Sequence, residues 1–191
     1  MHIIGIVGPV ASGKGVVTEY LIKKFGYTSF SLSSIVHDEL KKRGIIEFDR
    51  TTLQNIGDEL RKKEGDGTLA KRAVQKFNAK NVKLENKRIV IEGIRNPGEV
   101  HYLRTLPGFF LIAVDALQEV RYQRVLTRGK KWDPKDWESF KKIDSRDSND
   151  IGLKNGQHVR ACMALANVCI ENNSDLLSLK KEIQKKLSML S

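Results

Sequence analysis

Eight consecutive residues, Gly8-Pro9-Val10-Ala11-Ser12-Gly13-Lys14-Gly15, constrain this 191-residue chain more than any other feature. They follow directly on the almost wholly apolar run His2-Ile3-Ile4-Gly5-Ile6-Val7, which reads as a central parallel strand covered on both faces. A G-x-x-x-x-G-K spacing between a strand and a helix lets the backbone turn its N–H groups inward around phosphate oxygens. The helix that follows adds its positive N-terminal end. Lys14 would then reach the terminal phosphates of a nucleotide. Gly8, Ala11, Ser12, Gly13, Lys14, Gly15 and Val16 are the residues expected around it.

The rest of the chain alternates apolar strands with helices. Strands are expected at 27–32, 88–94, 109–115 and 168–171. Helices are expected at 14–25, 33–42, 49–63, 68–79, 98–106, 117–127, 157–166 and 174–187, with Ser33 or Ser34 capping the second. Parallel neighbours need crossover connections, so this alternation predicts a three-layer α/β fold around a five-stranded parallel sheet, with ligands at the strand C-termini. No composition shift marks a second domain. Residues 1–191 are read as one domain, with a helical acceptor region at about 33–80 and a basic, helical lid insertion at about 128–150.

Gly15 stands where many nucleotide hydrolases carry a Ser or Thr that ligates magnesium, and Val16 offers no hydroxyl either. A mainly water-coordinated ion bridging the phosphates is therefore expected. Glu92 ends the third strand in Ile89-Val90-Ile91-Glu92-Gly93-Ile94-Arg95, where an acid can orient a magnesium-bound water or the acceptor. A solvated strand-edge residue is the alternative. Arg95 offers a planar fork of donors for an acceptor phosphate, or a surface salt bridge.

The Gly8–Gly15 loop resembles the Gly-Lys-Gly loop of nucleoside monophosphate kinases, which usually continue with Thr where this chain has Val16. Glu92-Gly93-Ile94-Arg95 is similar to their Asp-Gly-x-x-Arg segment. Ser31–His37, Leu53–Arg61 and Leu69–Ala73 resemble the acceptor side of dephospho-CoA-kinase-like and deoxynucleotide-kinase-like P-loop proteins. Asp133-Pro134, Asp144–Asp147 and Gly156–Cys162 are similar to the kinase-like domain of deoxycytidylate-deaminase-related proteins. The resemblance implies a P-loop kinase using ATP and Mg2+. Lys14, Glu92, Arg124 and Arg128 would then be catalytic, and Ser34, His37, Arg61, Arg95, Asp144 and Arg146 would lie toward the acceptor. Ser34 and His37 stand where the group usually has Asp and Arg, and Arg43, Arg61 or Arg72 are alternative sources of the missing charge. Asp58 and Arg61, three apart on a helix, could instead pair with each other.

Arg121, Arg124 and Arg128 recur at helical spacing ahead of the lid and are expected to share a face toward phosphate; a solvated basic face is the other reading. Trp132, Trp137 and Phe140 are expected to close the lid on the core rather than to stack on a base. Cys162 and Cys169, with no CxxC and no His cluster beside them, are expected in the core. With 34 Lys plus Arg against 23 Asp plus Glu, the net charge of +11 favours anionic partners, nucleotides and RNA alike, but no RNA-module signature is present. No membrane-length apolar run or signal peptide is visible, so a cytoplasmic location is expected. An ATP-dependent phosphotransferase acting on a (deoxy)nucleoside monophosphate is the leading reading. A dephospho-CoA-kinase-like activity and a nucleotide-binding switch associated with RNA are its rivals.

Overall fold

The computed structural model describes residues 3–78, 88–130, 133–148 and 156–188. His2, Ala79, Trp132 and residues 149–150, named in the expectations above, lie outside the described residues. Five parallel strands, β1 (Ile3–Val7), β2 (Thr28–Ser31), β3 (Ile89–Glu92), β4 (Phe109–Asp115) and β5 (Val168–Glu171), form one sheet in the order β2-β3-β1-β4-β5. Ile3 pairs with Ile89 on one side and with Phe109 on the other, so β1 is the central strand and all five of its residues are buried. The chain crosses over β1 between β3 and β4, and such a reversal opens a crevice at the strand C-termini.

The two-residue alternation of strand side chains divides the core. Ile4 and Ile6 face α1 (Lys14–Phe25) and α9 (Leu176–Ser188), packing with Val17, Leu21, Leu179 and Ile183. Ile3 and Val7 face the opposite layer, built from α2 (Ser33–Lys42), α3 (Arg50–Glu64), α4 (Thr68–Asn78), α5 (Pro97–Arg104) and α8 (Val159–Ala164). Helices α6 (Gln118–Arg128) and α7 (Trp137–Ser148) complete the set, and Phe140, Val125 and Val10 form a separate small cluster between them and the glycine-rich loop. Trp137 packs against that cluster with its ring stacked on Phe140 at 5.6 Å. Among the described residues, no helix is long and apolar enough to cross a membrane.

Local chemistry sets the helix starts. Asp49 accepts a hydrogen bond from the Thr52 amide at 2.7 Å, and Asn96 with Glu99 forms a capping box at the start of α5. The expected serine cap on α2 is absent: Leu32 already has helical angles, which places Ser33 and Ser34 inside the helix. Ser33 bonds Ser31 at 2.8 Å instead, while the buried Ser34 hydroxyl has no partner among the described residues. Cys162 is buried as expected, but Cys169 is exposed, because β5 is an edge strand whose alternate residues face outward.

Candidate active site

The loop between β1 and α1 is held in a shape few sequences could adopt. A Cβ on Gly8 would fall 2.1 Å from the Val114 carbonyl oxygen of the neighbouring strand, and a Cβ on Gly13 would fall 2.1 Å from Nδ2 of Asn172. That Asn172 amide donates to the Ser12 carbonyl at 2.8 Å and so pins the loop from the end of β5. Ala11, with φ of 58°, is the one non-glycine residue in left-handed backbone among the described residues, a conformation costing about 1–3 kcal/mol that the surrounding structure must impose. Helix α1 begins on Gly13 without a side-chain cap, which leaves its first amides facing the loop's concave side. Lys14 folds back, donating to the Gly8 and Pro9 carbonyls at 2.7 Å each. Burial, reinforced by Arg95 and Arg50 and only partly opposed by Asp147 and Glu92, lowers its pKa to about 7.

Glu92 sits at the C-terminal end of β3, and its Oε1 accepts a 2.6 Å hydrogen bond from the Thr18 hydroxyl. Thr18 is buried one helical turn beyond Lys14 and is not among the expected site residues, because the hydroxyl that usually accompanies the lysine follows it directly, at positions 15 or 16. Its four-residue spacing from Lys14 on α1, which turns the same face toward β3, was the available signal. A carboxylate and a hydroxyl beside a phosphate cradle are hard oxygen donors suited to Mg2+, directly or through water.

A cavity of about 300 Å3 lies beside the loop, with Gly8, Ala11 and Lys14 on one wall and α2 and α3 on the other. It brings together His37, Arg61, Arg95 and Arg128 from the sequence-derived set, and His37 packs edge-on against Phe48. Arg61 is fully buried with each of its three nitrogens paired, donating to Glu99 at 3.0 and 2.8 Å and to Asp58 at 3.2 Å. Arg43 and Arg72, considered as alternatives, are engaged elsewhere, with Glu39 and Glu59 and with Glu64 respectively. Ser33, not Ser34, lines the cavity.

Arg50, Gln54, Asp147 and Gln157 also line the cavity and are not among the site residues expected from sequence. Asp147 accepts from Arg50 at 2.7 Å, from Gln54 at 2.7 Å and from Arg95 at 3.3 Å on each oxygen, while Arg95 also donates to Gln157 at 2.8 Å. Burial pushes the Asp147 pKa upward, but Arg50 and Arg95, with the side-chain bonds from Arg50 and Gln54, outweigh it and hold the carboxyl below its ordinary value.

The three arginines of α6 do not share one task. Seven residues of helix span about 10 Å, so side chains on one face meet different partners. Arg121, buried at the first turn, binds Asp144 through two bonds of 2.5 and 2.7 Å and donates to the Ala116 and Val10 carbonyls. Arg124 reaches Asn172 and the Ser174 carbonyl at 3.3 and 3.4 Å, and its Nη1 is buried with no partner among the described residues. Arg128 lines the cavity and is held by Asp133 through two 2.6 Å bonds. Asp144 and Arg146 lie outside the cavity wall; Arg146 bonds Asn55 and Asp58 on α3 at 2.6 and 3.1 Å.

A family model described as an AAA domain matches residues 7–141. The UPF0200 protein of Methanosarcina mazei is 31% identical over 190 residues, covering 98% of this chain and 95% of that protein. Its Pyrococcus abyssi counterpart is 31% identical over 185 residues, covering 95% and 93%. Among solved structures, TT1252 from Thermus thermophilus superposes with a TM-score of 0.61 at 20% identity, covering 99% of this chain and 97% of that one. A gluconokinase from Sinorhizobium meliloti 1021 gives 0.56 at 13%, covering 98% and 91%, and a dephospho-CoA kinase from Campylobacter jejuni gives 0.51 at 17%, covering 100% and 97%.

Proposed function

We propose, from the premise that this chain belongs to the UPF0200 family and has a P-loop kinase-like fold, that it transfers the γ-phosphoryl group of ATP to a nucleoside or deoxynucleoside monophosphate. One observation carries the reading: the phosphate loop and a cluster of arginines open onto the same cavity, with Lys14 on one wall and Arg50 and Arg95 on the other. Two anions that must meet in line need cations on both sides of the transfer point, because the transition state spreads negative charge over its oxygens.

In this reading the loop amides and Lys14 hold the β- and γ-phosphates, and Arg95 receives the acceptor's phosphate. An oxygen of that phosphate attacks the γ-phosphorus, and the bond from the γ-phosphorus to the bridging oxygen breaks, leaving ADP with the electron pair. An ionised phosphate needs no general base. Bound Mg2+ would neutralise the β and γ oxygens, held by Glu92 and Thr18 directly or through water. Arg128 faces the transferring group from the lid side, and Arg124 with the Asn172–Ser174 segment borders the donor nucleotide. A cavity of about 300 Å3 matches a monophosphate better than a molecule of CoA size.

The test is a screen of purified protein with MgATP against nucleoside and deoxynucleoside monophosphates, with dephospho-CoA alongside, reading ADP and phosphorylated product. Turnover on one or a few monophosphates, lost in Lys14→Met, is the expected result. Turnover on dephospho-CoA alone moves the acceptor to a hydroxyl; product from none of them overturns the proposal.

A further inference from the structure

Asp147 is the sole carboxylate lining the cavity among the described residues, against six cationic side chains: Lys14, Arg50, Arg61, Arg95, Arg128 and Lys130. Lys14 donates to the Gly8 and Pro9 carbonyls, and Arg61 and Arg128 have carboxylate partners of their own. Arg61 is held by Glu99 and Asp58, and Arg128 by Asp133. Arg50 and Arg95 instead converge on Asp147, the carboxylate they share, and their geometry is unequal, because Nη1 of Arg95 also donates to Gln157 at 2.8 Å. Arg50 meets it at 2.7 Å, but Arg95 reaches both carboxylate oxygens only at 3.3 Å, longer than the 2.7–2.9 Å usual for charged pairs. The Nε of Arg50 is buried with no partner among the described residues. A planar group with two oxygens leaves donors of both arginines unspent, and a tetrahedral anion with three oxygens is the better match.

The carboxylate is carried by the lid helix, whereas its partners belong to α3 and to the turn after β3. Phe140, Asp144 and Asp147 recur along one face of α7, and they are not equally fixed. Phe140 is sealed against Val10 and Val125, and Asp144 is locked to Arg121 by two short bonds with a third from Gln118 at 2.9 Å. These two hold the body of α7 in place. Asp147, in the last turn, makes the bonds that face the cavity.

We infer that Asp147 is a stand-in for the acceptor's phosphate, occupying an anion site formed by Arg50 and Arg95 until a phosphomonoester displaces it and releases the last turn of α7. The inference rests on the kinase reading for the word acceptor, and it deepens that reading by naming a phosphorylated acceptor and by placing Arg50 in its site. Exchange of one anion for another keeps the two partly buried guanidinium groups compensated at every stage, which removal of Asp147 without replacement would not.

The experiment uses the full-length protein and inorganic phosphate, with no nucleotide present. Phosphate binding is measured calorimetrically at fixed ionic strength with chloride as the control anion, and hydrogen exchange of α7 is followed with and without phosphate. Saturable phosphate binding is expected, with faster exchange confined to the last turn of α7. Asp147→Asn removes the competing charge while keeping a similar shape, and should bind phosphate at least about tenfold more tightly. Arg50→Gln should bind it about tenfold more weakly. Affinity in Asp147→Asn equal to or below that of the wild type would mean that the carboxylate organises the arginines instead of replacing a ligand. Phosphate binding that leaves α7 exchange unchanged, or an Arg50→Gln variant with undiminished affinity, overturns the inference on the wild-type fold or at the second residue. Because nothing turns over in these measurements, an inactive protein can still show the exchange and an active kinase can still lack it.

Discussion

The hydroxyl of Thr18 donates to Oε1 of Glu92 at 2.6 Å and ties the second turn of the phosphate-loop helix to the end of β3. The bond fixes where the Glu92 carboxylate can stand relative to Lys14 on the preceding turn. Thr18→Val keeps the shape and removes the donor, costing about 1 kcal/mol of stability and freeing the carboxylate to rotate. ATP binding without divalent cation should be unchanged. The Mg2+ concentration for half-maximal nucleotide binding or turnover should rise about tenfold. A cation titration at fixed ATP checks this; a Thr18→Val curve superposing on the wild type would remove the pair from the cation site.

Lys14 makes nucleotide binding and stability depend on pH in a stated direction. Its pKa falls from 10.5 to about 7 in the folded protein, with burial as the main cause and Arg95 and Arg50 reinforcing it. Between these two values the unfolded chain binds more protons than the native one, so stability rises with pH across that window. Lys14→Met should abolish this slope and raise the melting temperature near pH 7. Triphosphate binding restores the charge. Binding above pH 7 should take up as much as about one proton per nucleotide, and affinity should decline toward pH 9. Calorimetry in buffers of different ionisation heat measures the uptake; a proton count of zero at pH 8 would contradict it.

The parallel sheet and the glycine-rich loop after β1 were legible because each rests on local pattern, apolar strands running into glycines, and Phe140 is buried against Val10 and Val125. Arg50 and Asp147 were not legible. They are 97 residues apart in sequence, and although Asp147 stands at helical spacing from Phe140 and Asp144, that pattern names no partner on another helix, so only the approach of α7 to α3 brings the two together. Arg121 shows the converse failure. Its spacing with Arg124 and Arg128 placed it on a phosphate-facing side, but it lies where the carbonyls of Val10 and Ala116 and the Asp144 carboxylate surround it, so it supports the site from behind. Thr18 was hidden because the usual hydroxyl position follows the lysine directly, whereas the helix presents the same face again one turn later.

Gly13 and Asn172 should prove energetically coupled. Gly13→Ala places a methyl group 2.1 Å from Nδ2 of Asn172 and forces a side chain onto a backbone with φ of 104°. Loss of ATP binding by about 100-fold or more and a destabilisation of about 2–4 kcal/mol are expected. Asn172→Ala alone removes the bond to the Ser12 carbonyl and costs about 1–2 kcal/mol. In the double variant the clash is gone but the backbone strain remains. Stability should therefore be recovered in part, while ATP affinity is not. Chemical denaturation of all four proteins gives the coupling, and strict additivity would show that the two side chains do not meet as described.

Phe140 gives α7 a stability separable from that of the sheet. Its ring is fully buried, but among the described residues its cluster contains only Val10 and Val125 as further buried members and lies apart from the two cores that cover the sheet. Phe140→Ala should cost about 3 kcal/mol by cavity formation, the low end for an aromatic truncation because α7 can relax away from the loop. The loss should appear as local opening: hydrogen exchange across α7 accelerates, whereas β1 and β4 keep their protection. Arg121→Met should open the same helix by another route, leaving Asp144 buried without its cation, at a cost of about 3–5 kcal/mol. Because Arg121 also donates to the Val10 carbonyl, this second variant should weaken ATP binding beyond the effect of Phe140→Ala. Equal losses of affinity in the two variants would mean that the lid acts on the loop through apolar contact alone.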